Sequence, residues 1–289
     1  MPQAAAPKRQ FALERLAQEA AEIELPPLST VALEVGRLAS NTVAPDSATA
    51  LSNIVRRDVA LAAQIIRVAN SALYSPRLPI VSLSQAITRL GMNEIRNICF
   101  SFALRTDLFA AGGNNAGGGE AAFASLWRES LATACFAQEI ARLKRRDVEG
   151  AYLCGLMHRV GLAVMLWRLV RSSGGEQVSA AQLAQFAAAG SEALVGGRLA
   201  KSWQLPPGIC ATVAHWRTPA AAPAKFRLLL MQIVSARALT AQLDADDNLT
   251  PALCGLDPHW LEELSLYPDN VQFLLSRRPN IRSVVQCYA

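Results

Sequence analysis

A chain of 289 residues is long enough to bury about three quarters of its unfolded surface, as one large domain or two smaller ones, and needs no covalent staple. Cys99, Cys135, Cys154, Cys210, Cys254 and Cys287 lie far apart, with neither a Cys-x-x-Cys pair nor histidines at zinc-finger spacing; this excludes a disulfide framework and a zinc module and implies reduced core thiols in a cytoplasmic protein. The net charge of +5 is mostly scattered, so nucleic-acid binding, which needs clustered Lys and Arg, is not expected.

The N-terminus, MPQAAAPKRQ, leads into charged, helix-periodic sequence without the apolar core or cleavage pattern of a secretory leader. Residues 1–24 read as an extension. From there the period is helical almost everywhere and strand alternation is absent. Leu28, Val31, Val35 and Leu38 recur at three- and four-residue steps, and Ile95, Ile98, Phe102 and Phe109 do so with one wider step. Asp46 and Asp58 are placed to cap helices, SLSQ (Ser82, Gln85) and SAAQ (Ser179, Gln182) have capping-box spacing, and Asn70 and Gly91 can end helices in a left-handed conformation or a break. AGGNNAGGGE, residues 111–120, replaces the apolar period with Gly and Asn and reads as a loop or linker between one helical lobe, 25–110, and a second, 121–289. The one compact basic run, RLKRR at Arg142–Arg146, has no interleaved aromatics to stack on bases and reads as a solvated helix end. RSSGGE, Arg171–Glu176, is a lesser loop.

Ala151–Val170 has about the length of a membrane span. His158 and Arg159 sit near its centre, inside GLMHRVG, where an arginine alone costs roughly 2.5–3.5 kcal/mol and two glycines weaken the span further. A helix buried inside the protein is expected, with no membrane insertion. No phosphate-binding Gly-Lys-Ser/Thr follows GGGE, no Gly-x-Ser-x-Gly elbow occurs, and three histidines are too few to assign a Ser-His-Asp triad.

The stretches LPPLSTVALEVGRLAS, LSNIVRRDVALAAQIIRVANSALYS, AITRLGMNEIRNICFSFAL, LWRESLATACFAQEIA, AYLCGLMHRVGLAVML, SEALVGGRLAKSWQLPPGICATVAHW and LLLMQIVSARAL resemble the HDOD family in consecutive order, from about Leu25 to Leu239. The resemblance implies an all-α, multi-helical architecture: an N-terminal helical lobe plus a degenerate HD-domain-like lobe, related by fold to the HD phosphohydrolases. It also implies a bacterial-type regulatory role. Val59 departs from the family pattern, which has proline after the aspartate, but Asp58 still caps without it. Asn70 and Ser71 match the family's Asn-Ser signature and read as structural turn chemistry.

In the HD hydrolases, histidines and aspartates from several helices bind metals that activate water. Carried over by resemblance, His158 keeps its histidine, but Arg159 stands where the aspartate would be. Glu129 and Glu192 fall near two further histidines, His215-Trp216 replaces a His-His pair, and Arg237 falls at the last aspartate. Only His158 and His215 are then credible ligands. Two unit charges about 4 Å apart interact by roughly 4 kcal/mol at an effective dielectric near 20, so arginines at two carboxylate positions repel a metal, and arginine cannot deprotonate to relieve this. No metal, cofactor or catalytic residue is expected. Glu129, Glu192, Arg159 and Arg237 are instead expected to pair in the old metal cavity, unless the arginines hold an anion such as a nucleotide phosphate. Trp127, Trp203 and Trp216 read as core, and His259 as a surface or cap residue.

The expectation is a cytoplasmic, non-catalytic signalling module that binds a protein partner. With no receiver, GGDEF or kinase domain in the chain, its input is expected from separate molecules. The alternatives are a residual metal-dependent phosphohydrolase using His158, His215, Glu129 and Glu192, and a nucleotide or cyclic-dinucleotide sensor using Arg159 and Arg237.

Overall fold

The computed structural model describes residues 55, 58–74, 76, 78–109, 119–172, 191–245 and 254–288. Outside them lie residues 1–24, the Leu28–Leu38 periodicity, Asp46, the SAAQ box and most of the Gly/Asn-rich and RSSGGE loops. Among the described residues the secondary structure is helical, with no strand. Ahead of the Gly/Asn-rich segment stand α1 (Val59–Ala69), α2 (Leu83–Leu90) and α3 (Met92–Leu104), the last running into a π-helical turn at Arg105–Phe109. After it come α4 (Glu120–Leu143), α5 (Val148–Met157), α6 (Val160–Ser172), α7 (Ser191–Ser202), α8 (Pro207–His215) and a 3-10 turn at Pro219–Ala221. Then follow α9 (Ala224–Ala241), α10 (Pro258–Glu263), α11 (Pro268–Ser276) and α12 (Arg278–Cys287).

The helix ends follow local chemistry. Asp58 Oδ1 accepts from the Leu61 amide at 3.0 Å to start α1, and Ser82 Oγ accepts from the Gln85 amide at 3.2 Å to start α2. Gly91 separates α2 from α3 at φ 78°, a conformation that favours glycine. Asn70 departs from expectation: it closes α1 right-handed, at φ −91° and ψ 0°. The reason is its side chain, which donates to the Ile66 and Ile80 carbonyls at 2.9 and 2.8 Å and accepts from the Ile80 amide at 2.8 Å. This two-point pairing pins the loop after α1. Ser71, next in sequence, is buried, and its hydroxyl has no partner among the described residues.

The centre of the molecule is α4, buried from Ser130 to Ala141 and packed against α5, α9, α11 and α12. A single main core cluster runs from Val55 to Tyr288 and includes Ile95, Ile98, Phe109, Trp127 and Trp203. The C-terminal helix is part of that core. Tyr288 packs on Trp127 at 6.2 Å, and Gln64 of α1 donates to the Cys287 carbonyl at 3.1 Å. None of the six cysteines is in a disulfide, and burial pushes the Cys99 and Cys154 thiols up to about 12.

Two further expectations change. Val148–Val170 is long and apolar enough to cross a membrane, yet most of it is buried inside the fold and its helix is interrupted at His158–Arg159, so that pair sits in a turn and not mid-helix. The basic run is only partly solvated. Arg142 pairs with Glu139 at 2.5 Å, and Lys144 reaches Asn270 Oδ1 at 3.1 Å and the Ser265 carbonyl, because the C-terminal helices pack over the end of α4. His259 is exposed at the start of α10.

Replacing Asn70 with alanine leaves the Ile80 amide and carbonyl without their partner, and a loss of about 1–3 kcal/mol is expected in urea unfolding. A change within 0.5 kcal/mol would show that the pairing contributes nothing.

Candidate functional site

The two glycines of GLMHRVG explain how a polar pair comes to lie inside the protein. A Cβ on Gly155 of α5 would stand 2.7 Å from the Ala134 Cα of α4, and one on Gly161 of α6 would stand 1.9 Å from the Glu192 carbonyl oxygen of α7. Backbones therefore touch on both sides of the His158–Arg159 turn. Gly196 of α7 repeats the device against Val213 of α8, where an added Cβ would lie 2.4 Å from a valine methyl. The turn is thus drawn between α4, α7 and α8.

His158 is fully buried. Its Nδ1 lies 2.6 Å from the Gly155 carbonyl. A carbonyl only accepts, so Nδ1 carries the proton and Nε2 is left as an acceptor, without a partner among the described residues. Burial pushes its pKa down to about 3; Glu129 and the Gly155 carbonyl oppose that shift, and Arg159 and Arg237 add to it. The ring is neutral and meets Trp216 edge-on, centroids 5.2 Å apart.

Around it runs an alternating chain of charges. Arg217 Nη2 donates to Glu192 Oε2 at 3.0 Å, and Arg159 Nε to Glu192 Oε1 at 3.3 Å. Arg159 Nη1 donates to Glu129 Oε2 at 2.6 Å, and Arg237 Nε to Glu129 Oε1 at 2.9 Å. The order is Arg217, Glu192, Arg159, Glu129, Arg237. All three guanidiniums also lie over the Trp216 ring, Arg217 at 4.4 Å, Arg237 at 5.2 Å and Arg159 at 5.9 Å from its centroid. Burial alone would raise the Glu129 pKa; the guanidiniums of Arg159 and Arg237 override it and hold the carboxyl below its usual range.

Five of the residues singled out in the sequence, Glu129, His158, Arg159, Glu192 and Arg237, therefore come together. His215 does not join them: it is half-buried in the last turn of α8, and no hydrogen bond or ion pair ties its side chain to the others. Its neighbour Trp216 enters instead, because the chain leaves the helix there. Asp58 and Asn70 cap the two ends of α1, Ser71 follows it, and none of the three pairs with the cluster. Arg217 was missed, and Trp216 was read as core at a position where the resemblance puts a second histidine. The available signal was arginine at two positions where the resemblance puts aspartates, which calls for carboxylate partners nearby.

These residues do not fit a divalent metal. All four carboxylate oxygens of Glu129 and Glu192 accept from guanidiniums, and a cation there would face three fixed positive charges. Among the described residues no group of three or more His, Cys, Asp or Glu side chains is arranged to hold an ion.

A family model for the HDOD domain matches residues 25–219. The crystal structure of an HDOD domain protein with unknown function from Geobacter sulfurreducens is similar at 25% identity and TM-score 0.71, covering 96% of this chain and 98% of that one. Two more distant structures share the fold. One, from Shewanella amazonensis SB2B and named "Putative metal-dependent phosphohydrolase", matches at 23% identity and TM-score 0.69 over 97% and 99% of the two chains. The other, from Marinobacter aquaeolei VT8 and named "Putative signal transduction protein", matches at 20% and 0.65 over 96% and 65%. An uncharacterized protein of Treponema pallidum is 24% identical over 77% of this chain, which spans 43% of that relative's length.

Arg159→Ala removes the middle of the charge chain and leaves Glu192, 2% exposed, with Arg217 alone; a loss of about 3 kcal/mol is expected by urea unfolding, and a loss below 0.5 kcal/mol would refute a coupled chain. His158 binds a proton more weakly folded than unfolded. Its contribution is therefore complete above pH 6.5 and is lost as pH falls toward 3, with a slope approaching 1.4 kcal/mol per pH unit. Unfolding measured between pH 6.5 and 5 should show a steeper loss in the wild type than in His158→Phe; parallel curves would mean that the buried ring is not neutral.

Proposed function

This chain belongs to the HDOD domain family, and from that premise we propose that it is a cytoplasmic regulatory module of bacterial-type signal transduction, which works by binding a protein partner and not by turnover. The observation that supports this reading is the occupation of every Glu129 and Glu192 carboxylate oxygen by a guanidinium in the pocket where the resemblance puts metal ligands. What the HD hydrolases use to polarise a phosphoester is used here to hold helices together. A neutral His158 with one unshared lone pair cannot assemble a metal centre alone.

The test is elemental analysis of the protein purified without chelators or affinity-tag metals, joined to hydrolysis of a phosphodiester in added Mn²⁺. Metal far below one equivalent per chain and no turnover above buffer are expected. Near-stoichiometric metal with turnover lost in His158→Ala would replace this reading with a phosphohydrolase.

A further inference from the structure

The charge chain begins and ends on cations. Three guanidiniums face two carboxylates, so one positive charge is left over, and it is displayed where water reaches. The Arg217 and Arg237 side chains are 43% and 40% exposed, against 11% for Arg159. Donors are also left over at both ends. Arg217 gives Nε and Nη2 to Glu192, and Arg237 gives only Nε to Glu129. Arg217 Nη1 and both Nη atoms of Arg237 have no protein acceptor among the described residues.

We propose that Arg217 and Arg237 form the docking site for an acidic segment of a partner protein, an inference that rests on the binding-module reading above. A surface arginine ordinarily gives up rotamer freedom when it takes a ligand. These two are already held, each by a carboxylate on one edge and by the Trp216 face beneath. Their free edges are therefore preorganised forks for carboxylates. Beyond Arg237 an open groove of about 330 Å³ continues past Ser125, Arg128 and Thr240. Its own carboxylates, Glu129 and Asp244, are each paired with arginine, Asp244 with both Arg128 and, at 3.5 Å, Arg282, so guanidiniums outnumber carboxylates there. An open approach suits a length of polypeptide better than a small molecule that needs enclosure.

The probe is a fluorescent oligoglutamate peptide of about ten residues, titrated by anisotropy against the full chain at low ionic strength. Saturable binding is expected, weakened at least about tenfold in the double variant Arg217→Gln/Arg237→Gln. Arg89→Gln/Arg145→Gln, which removes the same charge from exposed arginines elsewhere, should bind like the wild type. Melting curves identify any variant that does not fold; should the glutamine pair fail, Arg217→Lys/Arg237→Lys keeps the charge but loses the fork and should still bind several-fold more weakly. Three results overturn the proposal: no binding, equal weakening in both glutamine doubles, or inorganic pyrophosphate held more tightly than the peptide at Arg217 and Arg237. Metal content and turnover are read separately, so failure of the docking site and failure of the non-catalytic reading are distinguishable.

Discussion

Glu192 carries its charge at 2% exposure, and an ion taken that far from water must be compensated where it sits. Compensation comes from Arg159 and Arg217, both outside α7. Arg159 supplies it from the α5–α6 turn, and can do so only because Gly161 lets that turn come within backbone contact of α7. A guanidinium has more donors than one carboxylate oxygen can use, so Arg159 also engages Glu129 on α4. Each glutamate then recruits an outer arginine. One buried carboxylate thus fixes the relative positions of α4, α5, α6 and α7, with the segment after α8 drawn in through Arg217.

The neutral state of His158 follows from the same arrangement. Protonation would put a fourth cation beside Trp216 in a volume that excludes water, and desolvation alone already opposes it. The ring therefore acts as a rigid, partly apolar wedge, oriented by the Gly155 carbonyl and braced by the edge of Trp216. Trp216 is itself buried, and its ring carries the three arginines.

Helical class, the starts of α1 and α2 and the order of matching segments were legible because they depend on residues within four positions of one another. Caps at Asp58 and Ser82 are of this kind. The end of α1 was not, since Asn70 answers to Ile80 across a loop and tertiary bonding overrides its left-handed tendency. The pocket divides in the same way. The resemblance named the positions where ligands would be expected, and the charges at those positions called for carboxylate–guanidinium pairing. Arg217 could not be found that way, because it occupies no ligand position and enters only through the turn that follows α8. His215 differs from its neighbour in one respect: no hydrogen bond or ion pair ties its side chain to the charge chain among the described residues.

The bond from Gln64 to the Cys287 carbonyl joins residues 223 positions apart, and Tyr288 lies against Trp127 near the middle of the chain. On a ribosome these contacts come late. α1 and α4 emerge with apolar faces that have no final covering until the sequence has been read past Cys287, so the nascent molecule passes through a stage with much of its interior made and one side unsealed. Synthesis rate and chaperone access during that interval therefore bear on how much of the protein reaches its mature form, independently of how stable that form is once closed.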